Sequence, residues 1–318
     1  MTTPVQPLLI RHPHGITAVD AEYGSRGHSA AHVIVQDGHA MIVDVGTSHA
    51  VPYLMAALAE LGVAPEAVDY LFLTHVHLDH AGGAGTLMRQ LPRARAVLHP
   101  RGAPHVIEPD RLIAGTKAVY GEETYARVYG EIVPIAAERV SITRDGERLR
   151  LGTREFEIAH TPGHALHHHA LVDLDARGIF TGDTFGLSYR AFDTEKGPWV
   201  LVTSTPTQFD PQQLRASIDR IVGYDPESVY LMHYSRVREV KQLAAELRLQ
   251  IGEYVALAQR HAATPERHAA MRTDMRALWQ RRLEAHGCRL TAARIDELLE
   301  GDLELNVQGL EVWLDRRR

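Results

Sequence analysis

Apolar positions along this chain repeat with two different periods, and the periods divide it. From Ile16 to Gly46 the segments are short and rich in strand formers: Ile16-Thr-Ala-Val19, Ala31-His-Val-Ile-Val35 and Ala40-Met-Ile-Val-Asp-Val45. The Gln36-Asp37-Gly38 turn between the last two predicts a hairpin. From Val51 to Leu61 the apolar residues move to helical spacing (Leu54, Met55, Leu58, Leu61) and stop at Gly62. A short apolar strand, Val68 to Leu73, comes next. A helix through about Leu91, ended by Pro92, and a strand from Arg95 to His99 complete a β-α-β-α-β order.

Residues 101 to 135 are less regular, with a helical stretch from Glu122 to Tyr129, and read as an insertion. Strands return at 140–143, 147–151 and 155–158, the last running into His160-Thr-Pro-Gly-His164. Strands at 169–174, 178–183 and 227–233 follow, with a helix from Asp210-Pro211 to about Gly223 inside that run, opened by an N-cap residue and an N1 proline. From about Val237 onward the period becomes helical throughout: Val240, Leu243, Leu247, Ile251, Tyr254, then helices expected after the caps Thr264-Pro265 and Thr291. The expected organisation is therefore an α/β domain over residues 1–238 and an all-helical C-terminal extension over 239–318.

Composition narrows the partners. A net charge of -6 over 318 residues, with a pI near 6.4, offers no basic field for a nucleic acid or an anionic membrane surface, so a small-molecule substrate is expected. No run of about twenty apolar residues suggests a membrane span, and Met1 to Gly15 lacks a long apolar leader core. The single cysteine, Cys288, excludes an internal disulfide framework and a thiolate-rich metal site. A soluble, cytoplasmic protein is the expectation.

Twenty histidines are many for this length, and their placement carries the chemistry. His75, His77, Asp79 and His80 fall within six positions where the strand 68–73 stops. Alternate residues of an extended segment share a face, so His75 and His77 can reach one metal, while Asp79 and His80, entering the next helix, point to a second position. His164, Asp183 and His233 are three more metal-ligand types, each ending a strand or lying just past it.

Four motifs, His75-x-His77-x-Asp79-His80, Thr161-Pro-Gly-His164, Phe180-Thr-Gly-Asp183 and Leu231-Met-His233, occur in the order of the metallo-β-lactamase superfamily, which residues 15 to 235 resemble. The resemblance implies an αββα sandwich with the site on one edge. It implies that His75, His77 and His164 hold a first divalent metal, that Asp79, His80 and His233 hold a second, and that Asp183 bridges them. Asp44 matches the family's aspartate that orients a ligand histidine. Two such ions sharing a water depress its pKa towards about 7 and polarise the oxygen under attack. Nitrogen and oxygen ligation suits zinc first, with iron or manganese compatible with the same geometry.

The activity so implied is hydrolysis of an ester, thioester or lactone, with Asp79 and Asp183 in catalytic as well as ligating roles. Tyr189 stands where it can assist an oxyanion, and Arg190 where it can hold an anionic group. The alternative on the same fold is a diiron redox or oxygen-sensing protein; His77 stands where the flavodiiron branch usually has glutamate, which argues against it. The helical extension reads equally as a cap over the metal edge or as a homodimer-forming appendage.

Overall fold

A computed structural model describes residues 5–204 and 207–317, so Thr205 and Pro206 of the Gly/Pro/aromatic segment lie outside the described residues. The chain forms two compact units: Met1–His160 with His167–Gly182 and Ser228–Arg236, and Thr161–Leu166 with Asp183–Glu227 and Val237–Arg318. The change of periodicity near residue 238 falls beside the last crossing. The other crossings, at His160, Leu166, Gly182 and Glu227, carry no compositional mark.

The first unit is built on two sheets. One runs in chain order through β1 (Leu9–Arg11), β2 (Ile16–Asp20), β3 (Ala30–Gln36), β4 (His39–Val43), β5 (Val68–Phe72), β6 (Arg95–Leu98) and β7 (Val140–Ile142). Its first four strands are antiparallel, with the expected hairpin pairing Gln36 and His39, and β4 to β7 are parallel. The other comprises β8 (Arg148–Leu151), β9 (Arg154–His160), β10 (His169–Asp173), β11 (Gly178–Phe180), β12 (Ser228–Leu231) and β13 (Ser235–Val237).

Alternation decides what each sheet buries. Ile34, Met41 and Phe72 of the first sheet pack with Phe156, Ile158, Leu171 and Phe180 of the second, forming the core between them. Their chain neighbours Val33, Ile42 and Leu71 face the other way and are covered by Leu54, Ala57 and Leu58 of α1 (Val51–Glu60) and by Leu87 and Met88. The helix expected after His80 is two pieces, α2 (Leu78–Ala81) and α3 (Ala84–Gln90), separated at Gly82-Gly83. The insertion carries three helices, α4 (Ala103–Ile107), α5 (Asp110–Tyr120) and α6 (Glu122–Val128).

Among the described residues, the second unit is helical apart from the irregular chain of 161–166 and 183–204 and short connections. Asp210 caps α7 (Pro211–Gly223), accepting from the Gln212 and Gln213 amides. Then come α8 (Val240–His261), α9 (Arg267–His286) and α10 (Ala292–Asp315), which pack on one another, with α7 against α8. Thr291 caps α10, its hydroxyl accepting from the Arg294 amide. Thr264 does not cap α9, which starts at Arg267: its hydroxyl lies 3.5 Å from His261 Nδ1, closing the turn onto α8 instead. Among the described residues no helix is long and apolar enough to cross a membrane.

Candidate metal centre

In the first unit the parallel strands β4 and β5 end side by side, and the residues just past them make the site. Asp44, past β4, holds a left-handed conformation (φ 56°), which a short polar side chain tolerates. Its Oδ1 accepts the Thr74 amide at 2.8 Å and its Oδ2 the Thr74 hydroxyl at 2.8 Å. The same Oδ2 lies 2.9 Å from His80 Nδ1. The Asp44 carboxylate is a pure acceptor here, so His80 carries its proton on Nδ1 and presents the lone pair of Nε2.

His233 and His75 are held in a similar manner. His233, just past β12, places Nδ1 at 3.0 Å from the carbonyl oxygen of His28, which can only accept. Its Nε2 therefore carries the lone pair and lies 3.3 Å from Asp79 Oδ2, which is 3.7 Å from His80 Nε2. The ligand-type atoms of Asp79, His80 and His233 all lie within 4.8 Å of one another. Thr74 Oγ1, its hydrogen directed to Asp44, lies 3.2 Å from His75 Nδ1. That leaves His75 Nε2 to face His77 Nδ1 at 2.9 Å. His77 sits at the extended N-cap position of α2, so the alternation along the strand end does bring His75 and His77 to one side.

The second unit pairs the remaining two residues. His164 Nε2 lies 3.4 Å from Asp183 Oδ2, and both side chains are buried. The segment carrying His164 is fastened on both flanks: the Thr184 hydroxyl donates to Thr161 O at 3.0 Å, the Ser217 hydroxyl to Pro162 O at 2.6 Å, and the Asp210 amide to Gly163 O at 2.8 Å. Tyr189 and Arg190 are also in this unit. The Tyr189 hydroxyl donates to both carboxylate oxygens of Asp302 on α10, at 3.3 and 3.2 Å, so an oxyanion role would require that bond to be exchanged. Arg190 curls back onto Ser188 O at 2.6 Å and pairs with Asp193 at 3.3 Å.

Three contributors are not marked in the sequence. His28 orients His233 through its carbonyl, and its ring meets the His233 ring edge-on at 5.5 Å. Burial holds the His28 imidazole neutral, its pKa pushed down to about 3. Thr74 links Asp44 to His75. His168 is fully buried, its ring stacked 4.9 Å from that of His75.

The ligand set of the first unit fits a divalent metal ion. It consists of imidazole nitrogens and a carboxylate with no thiolate, and the inward nitrogens of His75, His80 and His233 are those whose opposite ring positions are engaged by Thr74, Asp44 and His28 O. Two sheets with strand-end histidines and aspartates of this kind define a metallo-hydrolase fold. Residues 24–233 match the family model described as the Metallo-beta-lactamase superfamily, and the chain belongs to that superfamily. Helices α8 to α10 lie beyond the matched residues.

Relatives agree. The metallo-beta-lactamase fold-containing protein ST1585 of Sulfurisphaera tokodaii is 26% identical over 196 residues, 58% of this chain and 70% of its own. Its crystal structure, from Sulfolobus tokodaii, superposes with a TM-score of 0.65 at 21% identity, over 94% of this chain and 99% of that one. A hydroxyacylglutathione hydrolase of Xanthomonas euvesicatoria pv. vesicatoria is 29% identical over 253 residues, 76% of each chain.

Proposed function

We propose that this protein is a binuclear metallo-hydrolase acting on an ester, thioester or lactone of a small molecule, with His75, His77, Asp79, His80, His164, Asp183 and His233 as the ligands. Zinc suits the set first; iron and manganese fit the same atoms. The observation that carries the reading is the arrangement around Asp79: two histidines whose Nδ1 atoms are committed to Asp44 and to His28 O turn their Nε2 atoms towards one carboxylate oxygen. Histidines that only satisfied local hydrogen bonds would have no reason to converge there. The order of the four motifs within a matched family, and relatives named hydroxyacylglutathione hydrolase, support the reaction class.

Divalent ions held there would supply Lewis acidity to an attacking water and to the carbonyl it attacks. The protein's own part is orientation. Asp44 and the His28 carbonyl fix the imidazole tautomers, so the ligand atoms are set before any substrate arrives. Asp79, with 23% of its side chain exposed, is the most open member of its trio and the side on which water can approach. Asp79 and Asp183 supply the anionic oxygens that steer that water.

The test is turnover of a panel of acyl thioesters, esters and lactones by zinc-loaded protein. Hydrolysis should vanish on chelation and return when zinc is added back. Turnover indifferent to chelation, or none on any member of the panel with metal bound, would remove the reading. Ferric absorption bands in protein purified without added metal would move the assignment to the iron-based redox alternative.

A further inference from the structure

We propose that Gln250 of α8 is a positioning residue for the metal ligand Asp183, so that the C-terminal helices serve as the scaffold of the turn that carries it. The inference rests on the reading of Asp183 as a ligand. It also accounts for an amide buried where the apolar stripe of α8 should continue.

The chain from Asp183 to Ser204 has almost no regular structure of its own, so its backbone groups must find partners elsewhere. The turn that begins at Asp183 is closed by the Gly186 amide donating to Asp183 O at 3.0 Å. Immediately after it, Leu187 and Leu201 exchange two backbone hydrogen bonds, at 2.9 and 2.8 Å. Leu201 is therefore the partner that holds the turn, and the residues on either side of Leu201 are held by α8. Gln250, fully buried, accepts from the Val202 amide at 3.0 Å and donates to Val200 O at 2.7 Å. One side-chain amide thus imitates a neighbouring strand.

Tyr254, one turn further along α8, donates to Val202 O at 3.3 Å and accepts from Trp279 Nε1 of α9 at 2.8 Å. Helix α8 also touches the turn directly. A Cβ on Gly186 (φ 75°) would stand 2.5 Å from Leu201 O and 2.9 Å from Leu247 Cδ2, so the turn and the helix pack as closely as a glycine permits. At the far end, Asn306 of α10 accepts from both the amide and the hydroxyl of Ser204, at 2.7 and 2.8 Å. From Asp183 the order of support is the Gly186 turn, the Leu187/Leu201 bridge and then Gln250. Removing the amide leaves a buried N–H and a buried C=O that would seek water, and the bridge is the next thing to move.

The experiment uses the full chain. Gln250→Met keeps the length of the side chain and removes both hydrogen bonds to the 200–202 segment, together with the one to Glu246 Oε1; Tyr254→Phe, a smaller change, removes one hydrogen bond to that segment, and serves if the first variant does not fold. Ile295→Ala is the control, loosening the packing of α9 and α10 beside Trp279 and Leu299. Hydrogen exchange of the 183–189 amides, measured on metal-free protein, should rise at least tenfold in Gln250→Met and less in Tyr254→Phe, and stay unchanged in the control. The free zinc needed to half-fill the weaker site should rise at least tenfold in Gln250→Met, and the visible spectrum of the cobalt-loaded protein should change.

Unchanged exchange in both variants, or an equal rise in the control, overturns the proposal. Raised exchange with wild-type zinc affinity and cobalt spectrum overturns the positioning role as well. Should the wild-type protein take up no zinc, the hydrolase reading fails, while the exchange measurement still decides whether Gln250 holds the Asp183 turn.

Discussion

The two groups of site residues are held by different means. In the first unit four of the five lie within six positions of sequence, and the pieces that fix them are short: the ends of two neighbouring parallel strands, one aspartate, one threonine hydroxyl and one backbone carbonyl. In the second unit His164 and Asp183 sit on chain without regular structure, secured by hydroxyl and amide side chains of α7, α8 and α10. Regular secondary structure presents ligands at no added cost, because its backbone is already bonded. An irregular segment presents them only as long as distant side chains supply those bonds.

The comparison breaks first at the ligands themselves. His77→Ala and Asp183→Ala each remove one proposed ligand, from different units, and both should lose metal and reduce hydrolysis by more than the ten- to hundredfold loss seen for outer-shell changes. Circular dichroism and an unfolding curve should show both variants folded. Full metal content and full turnover in either variant would exclude that residue from the centre.

Next in size is a test of how tightly α10 is seated. A Cβ on Gly309 would lie 1.6 Å from Ser204 O, whereas one on Gly301 of the same helix meets nothing within 4 Å. Gly309→Ala should therefore destabilise the protein by about 3 kcal/mol through overpacking. Gly301→Ala should instead stabilise it by roughly 0.5–1 kcal/mol through helix propensity. Urea unfolding measures both, and equal effects would mean that α10 is not seated against Ser204.

The difference between the two groups also explains what could be read from the sequence. From Ile16 to His99 the strand and helix order was legible because each element has a clean period, save the break at Gly82-Gly83, and the histidine and aspartate cluster at 75–80 because strand-end chemistry is local. His164 and Asp183 were visible only as strand-end residues within a family's motif order. What holds them was hidden, because Gln250 and Asn306 read as ordinary polar residues of helices. One signal was present: Gln250 lies on the stripe of Leu243, Leu247 and Tyr254, and Asn306 on that of Leu299, Leu303 and Leu310, where an amide needs a buried partner. The seat of His28 beside His233 had no sequence signal, since a carbonyl oxygen belongs to every residue.

Acid should separate the units further. His12, His28, His32, His99 and His169 all belong to the first unit, and burial is the main cause that pushes each imidazole down, to about 3 or 4. His32 and His169, each near 3, are the fully buried ones. A folded pKa below the unfolded value of 6.5 means that the unfolded chain binds more protons between the two. The stability is therefore complete above about pH 6.5 and falls as the pH drops towards 3, by about 2 kcal/mol for each of these two at pH 5. His169→Gln, which can still donate to Leu73 O, should recover about that amount of the loss between pH 7.5 and pH 5. An unaltered acid loss in this variant would show that His169 titrates normally.

The most selective effect is that of Asp44→Asn, which leaves every proposed ligand in place. Asparagine tolerates the left-handed conformation at this position, so the backbone has no reason to change. Its carbonyl oxygen can still accept the Thr74 amide, but its NH2 would face the Thr74 hydroxyl and His80 Nδ1. To meet an N–H donor, His80 must move its proton to Nε2, and the nitrogen turned towards Asp79 is then no longer a lone pair. A tenfold to hundredfold loss of zinc affinity is expected, about 1.4–2.7 kcal/mol. Asp44 reaches His80 directly and His75 only through Thr74, while His164 and Asp183 keep every hydrogen bond of their own, so the ion proposed at Asp79, His80 and His233 should weaken more than the one proposed at His75, His77 and His164. Equal weakening of both would mean that the two groups of proposed ligands cannot be loosened separately, and the contrast between a strand-built group and a side-chain-built group would lose its physical content.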